Sequence, residues 1–96
     1  MRDSAQQVTC QEYQQGQGIG PHVDIAAFGP EIVTISLLSS CVVRFACGER
    51  TFRQALEPRS ALALSGPARE NWTHEIPART VTARRISITF RTMSAG

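Results

Sequence analysis

Two histidines occur in the 96-residue sequence, and one of them stands in His22-Val23-Asp24. In a strand or its frayed end, side chains two apart project to the same side, so His22 and Asp24 can converge on one point. His74 follows after enough chain for several antiparallel strands to return to that place. Two imidazoles and one carboxylate on one face of a metal leave the opposite face open, the arrangement suited to non-haem Fe(II) oxygenases. Alone, His-x-Asp is a common tripeptide, and a surface histidine beside an aspartate ordinarily does nothing.

The segment Arg85-Ile86-Ser87-Ile88-Thr89-Phe90-Arg91 alternates strictly, with Arg85, Ser87, Thr89 and Arg91 on one face and Ile86, Ile88 and Phe90 on the other. Two readings stand. The polar face of a half-buried strand ordinarily meets water. Read with the triad, the same face offers a guanidinium and hydroxyls to a dicarboxylic cosubstrate beside a metal. Gln11 and Tyr13 share a face of an N-terminal strand just ahead of the glycine-rich turn that leads into His22. Tyr13 is either an ordinary half-buried strand tyrosine or a phenol placed on the carboxylate that Arg85 would pair with.

The elements that must position these residues are short β-branched runs punctuated by Gly, Pro and Ser, an all-β pattern. Strands are predicted over 7–13, 31–38, 41–47, 51–56, 60–64 and 85–92. Gly16-Gln17-Gly18-Ile19-Gly20-Pro21, Gly29-Pro30, Gly48-Glu49, Pro58 and Ser65-Gly66-Pro67 supply turns and loops. No stretch of a dozen residues keeps a 3.6-residue apolar period, which argues against a helical bundle and for a small sandwich or jelly roll.

At 42% hydrophobic and 19% charged residues, the chain has the composition of a folding globular protein rather than a disordered one. No apolar run reaches the roughly 20 residues of a membrane span and no secretory signal opens the sequence, so a cytoplasmic location is expected. Cys10, Cys41 and Cys47 are odd in number and lack metal-ligand spacing, and are expected to be buried thiols. The ten basic residues are all arginine, but a net charge of +2 is too small to identify a nucleic-acid partner.

Taken in order, Tyr13-x-x-Gly16-x-Gly18-Ile19-x-Pro21-His22-Val23-Asp24, Ile35-Ser36-Leu37, Pro58-Arg59-Ser60, Ser65-Gly66, Trp72-Thr73-His74-x-Ile76 and Arg85-x-Ser87-x-Thr89-Phe90-Arg91 resemble the AlkB-like family of 2-oxoglutarate oxygenases. The resemblance runs from about Val8 to Arg91. It implies a double-stranded β-helix, or jelly roll, over a single 1–96 oxygenase core. It further implies that His22, Asp24 and His74 hold catalytic Fe(II), and that Arg85 and Tyr13, with Gln11 and Ser87 nearby, bind the distal carboxylate of 2-oxoglutarate. Arg91 would sit near the chelating end, and Glu70 and Trp72 are candidates for substrate contact.

The chemistry implied is oxidative decarboxylation of 2-oxoglutarate by dioxygen, coupled to hydroxylation of a substrate C–H bond. On an N-methyl group, the product collapses to formaldehyde, which is how the family reverses nucleobase alkylation. The sequence departs from the family pattern at Gln11, where asparagine is usual, and at Glu75, where a glycine usually follows the second histidine and a bulky acid is expected beside the metal. It departs again at Glu70, in place of an aromatic, and at Ala26, in place of the acid of some DNA-repair members. The helices and nucleotide lid that family members carry ahead of the tyrosine strand are expected to be lacking, leaving the face of Ile86, Ile88 and Phe90 partly uncovered. Dioxygen and 2-oxoglutarate are the expected partners, with nucleic acid in a full-length form. A non-catalytic jelly-roll binding module that retains the metal site and a cupin-like metal site of other chemistry are the competing readings.

Overall fold

The alternation from Arg85 onward produces the strand around which the rest is built. A computed structural model describes residues 5–24 and 27–93. In it, Arg85–Met93 (β8) pairs antiparallel on one side with Gln7–Tyr13 (β1) and on the other with Phe28–Leu37 (β3). Ala61–Leu64 (β6) extends β3 to give a sheet of order β1-β8-β3-β6. The second sheet, of order β2-β7-β4-β5, contains Ile19–His22 (β2), Cys41–Cys47 (β4), Arg50–Leu56 (β5) and Thr73–Ile76 (β7). Strand 1 pairs with 8, 2 with 7, 3 with 6 and 4 with 5, all antiparallel. This nested pairing is one long hairpin wound on itself, so the fold is the expected jelly roll.

The inner faces of the two sheets meet in a core of Tyr13 and Leu64 from one sheet and Cys41, Val43, Phe45 and Leu56 from the other, joined by Val81. On β8 it is the polar face that turns inward: Arg85, Ser87 and Thr89 are 1%, 3% and 7% exposed. That overturns the solvated-face reading of this strand. Ile86, Ile88 and Phe90 lie on the outer face, half-buried, and Val8 on the neighbouring β1 is exposed.

Strands β1 and β4 have the predicted bounds. The third begins earlier, at Phe28, through an irregularity in pairing between Phe28 and Ile32, and ends at Leu37 because Leu38 adopts φ 74. β2 and β7 were not predicted as strands, being four residues each. In β2 the sequence signal is masked by Gly20 and Pro21, and Gly18 just before it fits the close approach: a Cβ there would run into the Ile76 carbonyl. Ser65-Gly66-Pro67 does not only turn; it opens a five-residue helix, Gly66–Glu70 (α1), with proline in its first turn. Among the described residues no helix is long and apolar enough to cross a membrane. Of the thiols only Cys41 is buried; Cys47 is half-buried, and Cys10 is exposed on the outer face of β1, opposite in orientation to Gln11.

Candidate metal centre

Antiparallel pairing of β2 with β7 sets His22 directly opposite His74, with ring centroids 4.2 Å apart. Asp24, two residues past His22, brings Oδ1 to 3.4 Å from His22 Nε2. One ligand atom from each of the three side chains lies within 4.8 Å of the others. His22 Nδ1 donates to the Gly20 carbonyl at 2.9 Å, which orients the ring and turns Nε2 toward Asp24. His74 Nδ1 is buried without a hydrogen-bond partner. Two imidazoles and one carboxylate converging in this way form a donor set that fits a divalent first-row metal.

Burial, and then the neighbouring His22, holds the His74 imidazole below its ordinary value of 6.5. As pH falls, the unfolded chain therefore takes up this proton before the folded one does. Stability is full above 6.5 and is lost as pH drops through that value toward the folded one. The urea midpoint of metal-free protein is expected to fall between about pH 7.5 and pH 5.5, and to fall less in His74→Gln. Equal slopes in the two proteins would remove His74 as the cause.

The cleft between the sheets, about 130 Å³, runs from this triad along β8 to Arg85. That is the room of roughly four waters, enough for a small solute. Arg85 is paired in register with Tyr13, and Ser87 with Gln11. The Arg85 guanidinium lies 5.2 Å from the Tyr13 ring centroid and donates from Nη2 to Ser36 Oγ at 2.8 Å, while its Nε and Nη1 find no acceptor. The Tyr13 hydroxyl donates to Gln11 Oε1 at 3.1 Å, so both ends of that pair face the cleft. Cys41 sits beside Arg85; burial pushes its thiol up more than the guanidinium pulls it down.

Arg91 lies at the metal end. Its guanidinium covers the Phe28 ring at 4.6 Å, its Nη1 donates to Gln7 Oε1 and Thr9 Oγ1, and its Nε stands 3.6 Å from Asp24 Oδ2, attractive but too long for a hydrogen bond.

Other residues fall elsewhere. Glu75 does not crowd the metal: next to His74 in a strand it points to the opposite face, where it accepts from Arg44 Nη1 at 3.0 Å. Glu70 is exposed and borders a separate hollow beside Asp24 and Phe28. Trp72 lies just before β7, two residues ahead of His74, and packs at the core's margin against Phe52, with Arg50 5.2 Å from its ring. Ile25 and Ala26 lie outside the described residues. Thr34 also lines the cleft, and Ser36 and Thr9 accept hydrogen bonds from Arg85 and Arg91. Ser36 was visible within Ile35-Ser36-Leu37 as a lone hydroxyl in an apolar run, but no rule assigned it to Arg85.

A jelly roll with a His, Asp, His cluster at one end of its interior and a buried arginine at the other defines a metal-dependent oxygenase scaffold. The sequence matches the family model of the 2OG-Fe(II) oxygenase superfamily over residues 2–91. The chain belongs to that superfamily, in its AlkB-like branch, whose cofactors are Fe(II) and 2-oxoglutarate.

Among similar proteins, the tRNA (carboxymethyluridine(34)-5-O)-methyltransferase ALKBH8 of Macaca fascicularis is 41% identical over 75 residues, covering 76% of this chain and 11% of that protein. The alkylated DNA repair protein ALKBH8 homolog of Arabidopsis thaliana is 31% identical, covering 88% of this chain and 33% of that protein. The alpha-ketoglutarate-dependent dioxygenase alkB homolog 4 of Homo sapiens is 45% identical over 49 residues, covering 51% of this chain and 16% of that protein. The chain thus spans a third or less of the length of these relatives. Vicilin from Solanum lycopersicum superposes with a TM-score of 0.64 over 92% of this chain and 23% of its own, at 11% identity, a likeness of fold alone.

Proposed function

We propose that this chain forms the catalytic core of an Fe(II)- and 2-oxoglutarate-dependent dioxygenase that hydroxylates or oxidatively demethylates an alkylated or modified nucleic acid. The observation that carries the reading is Arg85, a guanidinium 1% exposed with two donors unmatched, at the far end of the cleft from the triad. A buried charge in that state costs several kcal/mol, roughly, unless an anion completes it.

In this reading His22, Asp24 and His74 hold the metal. Arg85, with Tyr13, Gln11 and Ser87 alongside, receives the distal carboxylate of 2-oxoglutarate, and Arg91 adds positive charge at the chelating end. With 2-oxoglutarate and dioxygen, bound iron supplies the oxidising power for C–H hydroxylation. The protein's part is to orient the dicarboxylate by charge-assisted hydrogen bonds and to keep water from its apolar flank, formed by Ile32, Val43 and Leu64. The names of two relatives, which refer to transfer RNA and to DNA repair, favour nucleic acid over other methylated substrates.

Incubation with Fe(II), 2-oxoglutarate and methylated RNA or DNA oligonucleotides should give succinate, with formaldehyde in equal amount where an N-methyl group is attacked. Mn(II) or Ni(II) should bind without supporting turnover. Absence of iron-dependent succinate with every oligonucleotide tried would favour the non-catalytic binding module instead.

A further inference from the structure

His74 is held by strand pairing, whereas Asp24 stands just past the end of β2, outside any strand. Something else must fix its distance from His74. Arg69, the fourth residue of α1, is 5% exposed. Its guanidinium donates from Nη1 to the Asp24 carbonyl at 2.9 Å, from Nη2 to the Phe28 carbonyl at 3.2 Å and from Nε to the Gly29 carbonyl at 3.2 Å.

The planar fork of donors thus binds the chain on both sides of residues 25 and 26, drawing the exit from Asp24 and the entry to β3 onto one point. That point is tied through the turn after α1 to the strand that holds His74. The backbone N–H groups of Asn71 and Trp72 both donate to the Pro67 carbonyl, closing the turn that leads from Arg69 into β7. The entry to β3 is equally confined, since a Cβ on Gly29 would strike the Thr92 side chain.

We propose that Arg69 is the positioning residue of the metal centre: by gripping the Asp24 backbone from the helix that leads into the His74 strand, it sets the separation of the carboxylate from the second imidazole. The proposal rests on the metal-site reading above. Its three hydrogen bonds described above go to backbone carbonyls, so it acts through the Asp24 backbone.

The test compares Mn(II) affinity and the Co(II) visible spectrum in the wild-type chain, Arg69→Met, Arg69→Lys and Ile35→Ala, a control on the outer face of the β1-β8-β3-β6 sheet. Partners of this outer kind contribute about 10–100-fold to metal affinity. Arg69→Met is expected to bind Mn(II) weaker by about that factor and to alter the Co(II) spectrum. Arg69→Lys, which can serve fewer of the three carbonyls, should fall between. Ile35→Ala should lose urea stability while keeping wild-type affinity and spectrum.

Wild-type affinity and spectrum in a folded Arg69→Met would overturn the proposal. If that variant does not fold, Arg69→Lys decides: an affinity equal to wild type overturns it, and a loss beyond that of Ile35→Ala supports it. A wild-type chain that binds neither metal would overturn the metal-site reading itself, and this inference with it.

Discussion

Arg85→Ala is expected to weaken 2-oxoglutarate binding by about ten- to a hundred-fold or more while leaving metal affinity in place. Each charge-assisted hydrogen bond contributes about 1.5–3 kcal/mol, and about 1.4 kcal/mol is tenfold in affinity. Two donors of this guanidinium, Nε and Nη1, have no oxygen or nitrogen acceptor within the protein, and the neighbouring Cys41 thiol is a weak one, so a bound carboxylate gains both. Calorimetry under anaerobic conditions with Mn(II) present measures the change directly. An unchanged affinity would mean that the buried polar face of β8 serves something other than a dicarboxylate.

Arg85→Met sharpens the point. Replacing a buried, incompletely paired charge with an apolar side chain of similar length is often neutral or stabilising, so the ligand-free variant should resist urea at least as well as wild type. Binding and stability would then move in opposite directions, as expected where a site stores unsatisfied polarity for its ligand.

The second large effect falls on folding. Phe45 is 2% exposed within the β2-β7-β4-β5 sheet, stacked on Phe52 at 4.7 Å and 6.3 Å from the His74 ring. Truncation of a buried phenylalanine costs about 3–5 kcal/mol, a large share of the roughly 5–15 kcal/mol that holds a native domain together. Phe45→Ala is therefore expected to lower the urea midpoint sharply and, because Phe45 backs His74, to weaken the metal site. Phe52→Ala, at a side chain already 49% exposed, should cost much less. Equal losses for the two would place the core elsewhere.

The candidate site was more legible in the sequence than the strands that carry it. Two histidines in the whole chain left few ways to build a ligand set, and the period-two run from Arg85 to Arg91 announced a strand by itself. Periodicity separates the two faces of a strand without saying which turns inward. The usual rule would have buried Ile86, Ile88 and Phe90, but the jelly roll turns Arg85, Ser87 and Thr89 inside.

β2 and β7 left no signal, because four residues containing Gly20 and Pro21, or following Trp72, are too few for a pattern. Glu75 was misread for want of the same alternation: recognising Thr73–Ile76 as a strand would have sent Glu75 away from His74 and toward Arg44. Arg69 carried no mark at all, since a single arginine in a five-residue helical turn is indistinguishable from a solvated one until its carbonyl partners are seen.

His22, Asp24 and His74 are expected to hold one metal ion together. Anaerobic titration of the wild-type chain and His74→Ala with Fe(II), followed by equilibrium dialysis, tests it most directly. Saturation at one ion per chain is expected in the wild type and loss of that binding in the variant, with both proteins folded by circular dichroism. Retention of wild-type stoichiometry and affinity in folded His74→Ala would contradict it.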